Sequence, residues 1–158
     1  MFSFRKTPPQ DLLTSKLFDD RTFYKSFICD LKNAKLEVII ESPYMTVTRL
    51  AVLMPILKKL IKKGVKVKVH TRYPGHHDEF MRIQAWVAIK SLKNIGVKVK
   101  FFNNYLHRKT AVIDEKILWE GSLNIFSQSN SREIMRRIES EQLTKQMMQF
   151  LGLKKYYW

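Results

Sequence analysis

Residues 60–68 read LIKKGVKVK, and residues 92–100 read LKNIGVKVK. Each stretch combines the end of an apolar helical pattern, a glycine, and a segment in which valine alternates with lysine. Gly64 and Gly96 stand where helices commonly end, and alternating valines place one face of a strand against a core. A helix between two such strands is typical of β-α-β units. The repeat therefore predicts an α/β fold with parallel strands.

The flanking segments extend this pattern. Periodicity predicts helices from Asp19 or Asp20 to about Lys32, over 48–63, over 78–94 and over 140–151. Single strands are predicted over 36–41, 65–70, 97–102 and 133–138. Two further strands, over 107–113 and 117–120, are predicted to form a hairpin. We expect a mixed, mostly parallel sheet flanked by helices on both faces. The predicted organisation is an N-terminal arm over 1–16, a single domain over 17–153 and a basic aromatic tail over 154–158.

The composition is that of an ordinary globular protein, with 45% hydrophobic and 27% charged residues in a chain of 158. It excludes collagen-like, disordered and disulfide-scaffold classes. The chain has 29 Lys and Arg against 14 Asp and Glu, a net charge of +15, and such a field attracts polyanions. The sequence lacks a leader pattern and a long apolar run, so we expect a cytoplasmic protein without a transmembrane helix. Cys29 follows two apolar residues, which predicts a buried, inert thiol.

The densest basic run predicts a surface that follows a nucleic-acid backbone. Contacts of this kind neutralise phosphates without reading sequence, and they weaken steeply with salt. The alternative is the solvated face of a helix and a strand. The residues of the run are Lys58, Lys59, Lys62, Lys63, Lys66, Lys68 and Arg72.

A second segment contains groups suited to phosphate chemistry. His107 and Lys109 are two residues apart at a predicted strand start, so both side chains should point to one face, ~7 Å apart. An imidazole can act as nucleophile or as acid and base near neutral pH, and an ammonium group neutralises an anionic ligand. Gly121 allows a close turn, and Ser122 and Asn124 then supply a hydroxyl and an amide. These groups together favour a site for a phosphate oxyanion.

The whole segment, HRKTAVIDEKILWEGSLN over 107–124, resembles the HKD motif H-x-K-x4-D-x6-G-S-x-N of the phospholipase D superfamily. The resemblance extends over about 36–138. It implies that His107 is the nucleophile that forms a phosphohistidine, or the group that protonates the leaving oxygen. It also implies that Lys109 and Asn124 bind the phosphate with support from Ser122. The matching residues are His107, Lys109, Asp114, Gly121, Ser122 and Asn124.

Two acidic residues complete the candidate catalytic set. Asp114 matches the acidic position of the motif but lies at the predicted hairpin turn, so we expect it to orient local structure. Glu133 matches a downstream acidic position that holds the histidine in some members of the superfamily. A surface residue at the start of a strand is an equal alternative for Glu133.

The resemblance also implies a homodimer. One histidine attacks phosphorus while a second protonates the leaving oxygen, yet the chain contains one motif: His70, His76 and His77 are not followed by a lysine two positions later. A two-fold axis would bring two copies of His107 together. This organisation is similar to that of the small single-motif Nuc-type endonucleases, which use no metal or other cofactor. The implied function is that of a metal-independent endonuclease, which cleaves nucleic acid through a phosphohistidine intermediate. DNA is the favoured substrate, and RNA is the alternative.

Other functions stay open. A lipid phosphodiesterase of the same superfamily would need an apolar interfacial patch, which the sequence does not show clearly. A non-catalytic nucleic-acid-binding module, or the nuclease domain of a larger restriction or helicase system, is the second alternative. The segment 76–78, HHD, favours a solvated loop over a metal site because adjacent side chains rarely reach one ion. The segment 42–44, SPY, either borders the site or only ends a strand.

Overall fold

The computed structural model describes residues 14–102, 106–127 and 130–153. These residues form one mixed sheet with helices on both faces. The strands are β1 (Lys16–Asp19), β2 (Glu37–Glu41), β3 (Lys66–Arg72), β4 (Lys98–Phe102), β5 (Thr110–Ile113), β6 (Ile117–Gly121) and β7 (Ile134–Glu139). The helices are α1 (Phe23–Asn33), α2 (Val47–Lys62), α3 (Glu79–Asn94) and α4 (Glu141–Phe150).

The sheet order is β1-β7-β6-β5-β2-β3-β4. The repeat around Gly64 and Gly96 forms the predicted β-α-β units: β2, β3 and β4 are parallel neighbours, connected by α2 and α3. Both glycines follow helix ends with φ of +82° and +95°, a conformation that disfavours residues with a Cβ. The remaining neighbours pair antiparallel, yet strands β1, β2, β3, β4 and β6 all run in one direction. The prediction of a mixed sheet flanked by helices is therefore confirmed; most of its strands run in one direction, although four of its six neighbouring pairs are antiparallel.

The larger core lies between one sheet face and the helices α1, α2 and α3. Its centre is Trp119 of β6, whose ring meets the rings of Phe23 and Phe27 edge-on at 5.2 and 6.0 Å. The indole nitrogen donates to Asp30 over 2.8 Å, which satisfies the buried polar end of this side chain. The second face carries Ile39, Val112, Leu118 and Ile138, and α4 covers these residues through Met148.

The N-terminal boundary differs from the prediction. Lys16 lies in β1, opposite Arg137 of β7, and α1 begins at Phe23 rather than at Asp19 or Asp20. A strand of four residues is too short for a sequence period, so only the pairing reveals it. The prediction of a buried Cys29 was wrong: the thiol is exposed, because it lies on the side of α1 opposite Phe27.

Residues 1–13 and 154–158 lie outside the described residues, so most of the predicted arm and the predicted tail do too. Within the described ranges, no helix is both long and apolar enough to cross a membrane.

Candidate active site

His107 and Lys109 lie at the edge of the sheet where β2 ends and β5 begins. The expectation that they start a strand was wrong, because β5 begins at Thr110 and residues 106–109 have no regular structure. The alternation of a strand therefore does not orient the two side chains. Lys109 Nζ instead turns back and donates to the carbonyl oxygen of His107 over 2.7 Å, and the His107 side chain is exposed.

A cavity of about 490 Å³ opens beside this segment, on the sheet face that α4 partly covers. Lys109 and Ser122 both line it, so the structure brings the ammonium and the hydroxyl of the motif together. Glu120 and Arg136 pair with each other on its wall. The lining residues are Lys109, Thr110, Glu120, Gly121, Ser122, Ile134 and Arg136.

Gly121 is required by the close approach of β6 to β7. A Cβ at this position would lie 2.1 Å from the carbonyl oxygen of Ile134 and 2.9 Å from Cα of Met135. The close approach lets Ser122 make three hydrogen bonds with Ile134. The Ser122 amide donates to the Ile134 carbonyl oxygen over 2.9 Å, and the Ser122 hydroxyl accepts from the Ile134 amide over 3.1 Å and donates to its carbonyl oxygen over 3.5 Å. The glycine of the G-S-x-N segment thus fixes the backbone that carries Ser122.

Asn124 lines a different cavity, of about 670 Å³, together with Tyr44, Arg49 and Phe80. Its Oδ1 is buried without a hydrogen-bond partner among the described residues. A single chain therefore does not place Asn124 in the cavity that contains Lys109. Glu133 immediately precedes β7, and within the described ranges no hydrogen bond joins it to His107.

Asp114 lies at the other end of β5 from His107. Asp114 and Glu115 have φ of 53° and 56°, as the central residues of a type I′ hairpin turn require. The Asp114 carboxylate accepts the backbone N–H groups of Lys35, Leu36 and Glu37 over 2.8, 2.8 and 3.0 Å. Its contacts thus hold the hairpin against the start of β2.

Glu41, the last residue of β2, is a charged residue that the sequence analysis did not select. Its carboxylate is 1% exposed and accepts two hydrogen bonds from Arg108, the residue between His107 and Lys109, and one from Thr110. Burial alone would raise the pKa of Glu41. The adjacent His70 ring, the hydrogen bonds and charge of Arg108 and the Thr110 hydroxyl outweigh burial and lower this pKa to about 2. The signal in the sequence was an acidic residue that directly follows three consecutive apolar residues of a strand.

The predicted basic run does not form one surface. Helix α2 carries one group on its solvent side: Lys58, Lys59, Lys62 and Lys63. The second group lies on β3, where alternate residues point to opposite sides, so Lys66 and Lys68 project from the sheet face opposite to α2. Two further lysines join the second group, since Lys98 is the cross-strand partner of Lys68 and Lys100 that of His70. We call Lys66, Lys68, Lys98 and Lys100 the sheet lysines. Arg72 donates to the Tyr44 hydroxyl over 3.3 Å.

The two remaining sequence segments lie near this edge of the sheet. His77 is buried, contrary to the expected solvated loop, and its ring lies 4.9 Å from that of Tyr44. Burial lowers the pKa of His77, and the Arg72 charge lowers it further. Asp78 caps α3 by accepting from the Met81 amide over 3.0 Å. Tyr44 borders the cavity that contains Asn124, so the segment 42–44 does more than end a strand.

Two surface observations concern possible ligands. Among the described residues, no group of three or more His, Cys, Asp or Glu side chains could hold a metal ion. The outer face of α3 exposes Phe80, Ile83 and Val87 at 69%, 57% and 47%, an apolar stripe at helical spacing that the sequence analysis did not detect.

The fold and the cavity beside the hairpin together define a phospholipase D-like α/β domain. Residues 27–153 match the family model described as "Cardiolipin synthase, PLD-like domain", and the chain belongs to this family of the phospholipase D superfamily. The resemblance inferred from the motif is thereby confirmed.

Solved structures share the fold at low sequence identity. Nuc from Salmonella typhimurium, a phospholipase D family member, is similar with a TM-score of 0.71 and 17% identity over 86% of this chain and 90% of that one. NucT from Helicobacter pylori has a TM-score of 0.67 and 22% identity over 86% and 91% of the two chains. Polyphosphate kinase from Porphyromonas gingivalis has a TM-score of 0.68 and 12% identity over 92% of this chain and 27% of that one. No curated protein sequence matches significantly.

Proposed function

We propose that the protein is a metal-independent phosphodiesterase that cleaves nucleic acid, with an active site shared by two copies of the chain. The observation that carries the proposal is the motif itself, complete and without a gap. Its Lys109 and Ser122 line one cavity, and its His107 lies exposed at the edge of the sheet. The net charge of +15 favours a polyanionic substrate over a single lipid headgroup.

In this mechanism the neutral imidazole of His107 attacks phosphorus in line with the scissile P–O bond. The P–N bond forms, the leaving oxygen takes its electron pair, and the histidine of the second copy protonates it. Lys109 and Asn124 bind the phosphate oxygens and stabilise their negative charge, with support from Ser122. Water, deprotonated by the second histidine, then attacks the phosphohistidine and releases the 5′ or 3′ phosphate end. A shared site accounts for the exposure of His107 and the separate cavity of Asn124 in one chain.

Replacing the nucleophile tests the mechanism. We expect His107→Ala to reduce cleavage of plasmid, single-stranded DNA and RNA to background in EDTA, because no other group can form the phosphohistidine. His76→Ala is the matched control, since His76 is also an exposed histidine and lies in a separate segment, the short 3-10 helix Pro74–His76. Cleavage by His107→Ala at the rate of the wild type would refute the mechanism.

Mixing subunits tests the shared site. When equal amounts of wild-type and His107→Ala chains are unfolded together and refolded, random pairing leaves about one quarter of the dimers with two histidines. Activity should therefore fall to about one quarter, whereas independent monomers would retain about one half. Light scattering on the same samples should give twice the mass of one chain. A fully active monomer would contradict the proposal.

The sheet lysines are the proposed nucleic-acid surface. Lys98 and Lys100 are exposed on the edge strand β4, on the same sheet face as the cavity. We expect Lys98→Gln/Lys100→Gln to weaken binding and to make the slope of log K against log salt less steep by about 2. Lys58→Gln/Lys59→Gln, on the solvent side of α2, removes the same charge and should change the slope little. Equal effects of the two double variants would argue against a defined surface.

The apolar stripe on α3 favours a second candidate, a lipid phosphodiesterase. Phe80, Ile83 and Val87 are the kind of side chains that enter a membrane interface. The two candidates share the chemistry of His107 and differ in substrate. Phosphatidyl lipid vesicles assayed beside DNA would separate them: release of a lipid headgroup without cleavage of DNA would replace the nuclease by the lipid enzyme.

A further inference from the structure

The mechanism above does not use Glu41, although its carboxylate is the least exposed of the described ion-paired acids. Glu41 ends β2 directly opposite Thr110, the first residue of β5. A charge in this position loses its hydration, so its partners must compensate for that loss.

Arg108 Nε donates to Glu41 Oε2 over 2.9 Å, and Arg108 Nη2 donates to Oε1 over 3.0 Å. This is a bidentate pairing, whose two-point geometry fixes the orientation of the guanidinium plane. The Thr110 hydroxyl adds a third bond to Oε2 over 3.1 Å. His70 Nδ1 lies 3.6 Å from Oε1, beyond hydrogen-bond range. The carboxylate thus holds positions 108 and 110 at once.

Positions 108 and 110 alternate along the chain with His107 and Lys109, the two residues that carry the chemistry in the proposed function. His107 and Lys109 lie in the irregular segment before β5, where one backbone hydrogen bond to the sheet, from the Gly121 amide to the Lys109 carbonyl over 3.3 Å, restrains the end of the segment but leaves His107 outside the ladder. Within the described ranges, the hydrogen bond that involves His107 is the one its carbonyl accepts from Lys109. The Arg108 side chain therefore provides the link from this segment to the buried end of β2.

We propose that Glu41 is a positioning residue, which anchors Arg108 and thereby holds His107 and Lys109 in register at the edge of the sheet. The proposal rests on the proposed phosphodiesterase function. It predicts that loss of the anchor slows the chemical step more than it weakens substrate binding, because the misplaced groups are those that act on phosphorus.

The molecule contains a matched pair elsewhere. Asp30 accepts two hydrogen bonds from Arg137, over 2.8 and 3.0 Å, in the same two-point geometry. Asp30 is also buried, but the pair joins α1 to β7 and is not connected to the segment 106–109. Removing the Asp30 charge therefore reproduces the loss of a buried ion pair without loosening His107 and Lys109.

The experiment compares Glu41→Gln with Asp30→Asn for kcat, KM and thermal midpoint. We expect both to lower the midpoint, and only Glu41→Gln to lower kcat, by about 10- to 100-fold with KM changed less than about threefold. Arg108→Lys keeps the charge but loses the two-point geometry, so it should give an intermediate kcat. Because Arg108 is partly exposed, this variant also serves if Glu41→Gln does not fold.

A second readout is independent of activity. Backbone ¹⁵N relaxation should give lower order parameters for the amides of Arg108 and Lys109 in Glu41→Gln but not in Asp30→Asn. Unchanged order parameters and an unchanged kcat in Glu41→Gln would overturn the proposal, as would equal losses of kcat in the two variants. Failure of the proposed function is recognised separately: the wild type then cleaves no phosphodiester, while the relaxation comparison still decides whether the anchor exists.

Discussion

The buried carboxylate of Glu41 should make the protein sensitive to acid. Its pKa in the folded protein is about 2, against an ordinary value of 4.5 in the unfolded chain. A carboxylate whose pKa is lowered by folding stabilises the fold fully at a pH above its pKa in the unfolded chain. That contribution is lost as the pH falls through its pKa in the folded protein. The contribution of Glu41 is therefore present above pH 4.5 and disappears between pH 4.5 and about 2.

The size of the effect follows from the same two values. At about 1.4 kcal/mol for each pH unit of difference, the shift of Glu41 corresponds to about 3 kcal/mol. Solvent screens the charge of this carboxylate only slightly, since its side chain is 1% exposed. Domains of this size are stable by roughly 5–15 kcal/mol, so the loss of this one contribution is large enough to measure.

The assay is the free energy of unfolding in urea at pH 6, 4.5 and 3, for the wild type and for Glu41→Gln. We expect the wild type to lose more stability than the variant over this interval, because glutamine does not titrate. Asp19, whose pKa is lowered by hydrogen bonds from Thr22, is present in both proteins and cancels in the comparison. Parallel curves for the two proteins would refute the account of Glu41 as an ionised anchor.

Two further changes test the backbone of the site. Gly121→Ala should destabilise the protein by more than about 3 kcal/mol in urea unfolding, because its Cβ would lie 2.1 Å from the Ile134 carbonyl oxygen. Gly64→Ala has open space for its Cβ, so it should cost only the strain of its positive φ, about 1–2 kcal/mol. Equal losses in the two variants would contradict the close-approach argument. Asp114→Ala should cost about 2 kcal/mol in the same assay, because three backbone N–H groups lose their acceptor. Asp114→Asn keeps one oxygen and should lie between, so an Asn variant as unstable as Ala would point to charge instead of the hydrogen bonds.

Part of the site could be predicted because its signals are local. The spacing of His107, Lys109, Gly121 and Ser122 in the chain is enough to recognise the motif, and the hairpin between them follows from two short β-rich runs. The cavity that unites Lys109 with Ser122 is a direct result of that hairpin. The irregular backbone at 106–109 was not predictable from the same runs, since β5 begins only where Thr110 meets Glu41 and Glu120.

The basic run shows that residues close in sequence need not share a surface. Its lysines are close in sequence, and the sequence alone cannot tell that the sheet separates those of α2 from those of β3. The same sheet brings Lys98 beside Lys68, 30 positions earlier in the chain, through the register of β3 and β4. The exposed stripe of α3 is also a tertiary result, because the stripe is apolar enough to be buried and no described element covers it.

The sequence by itself determined the β-α-β order, the helix ends at Gly64 and Gly96, and the superfamily. Each of these depends on periods and spacings that operate within about one helix or hairpin. The tertiary structure alone decided the partners of Glu41, which lies 67 positions from Arg108, and the separation of Asn124 from Lys109. The physical reason is that such contacts follow from strand order and register, which bring distant residues together by a geometry that no local pattern encodes.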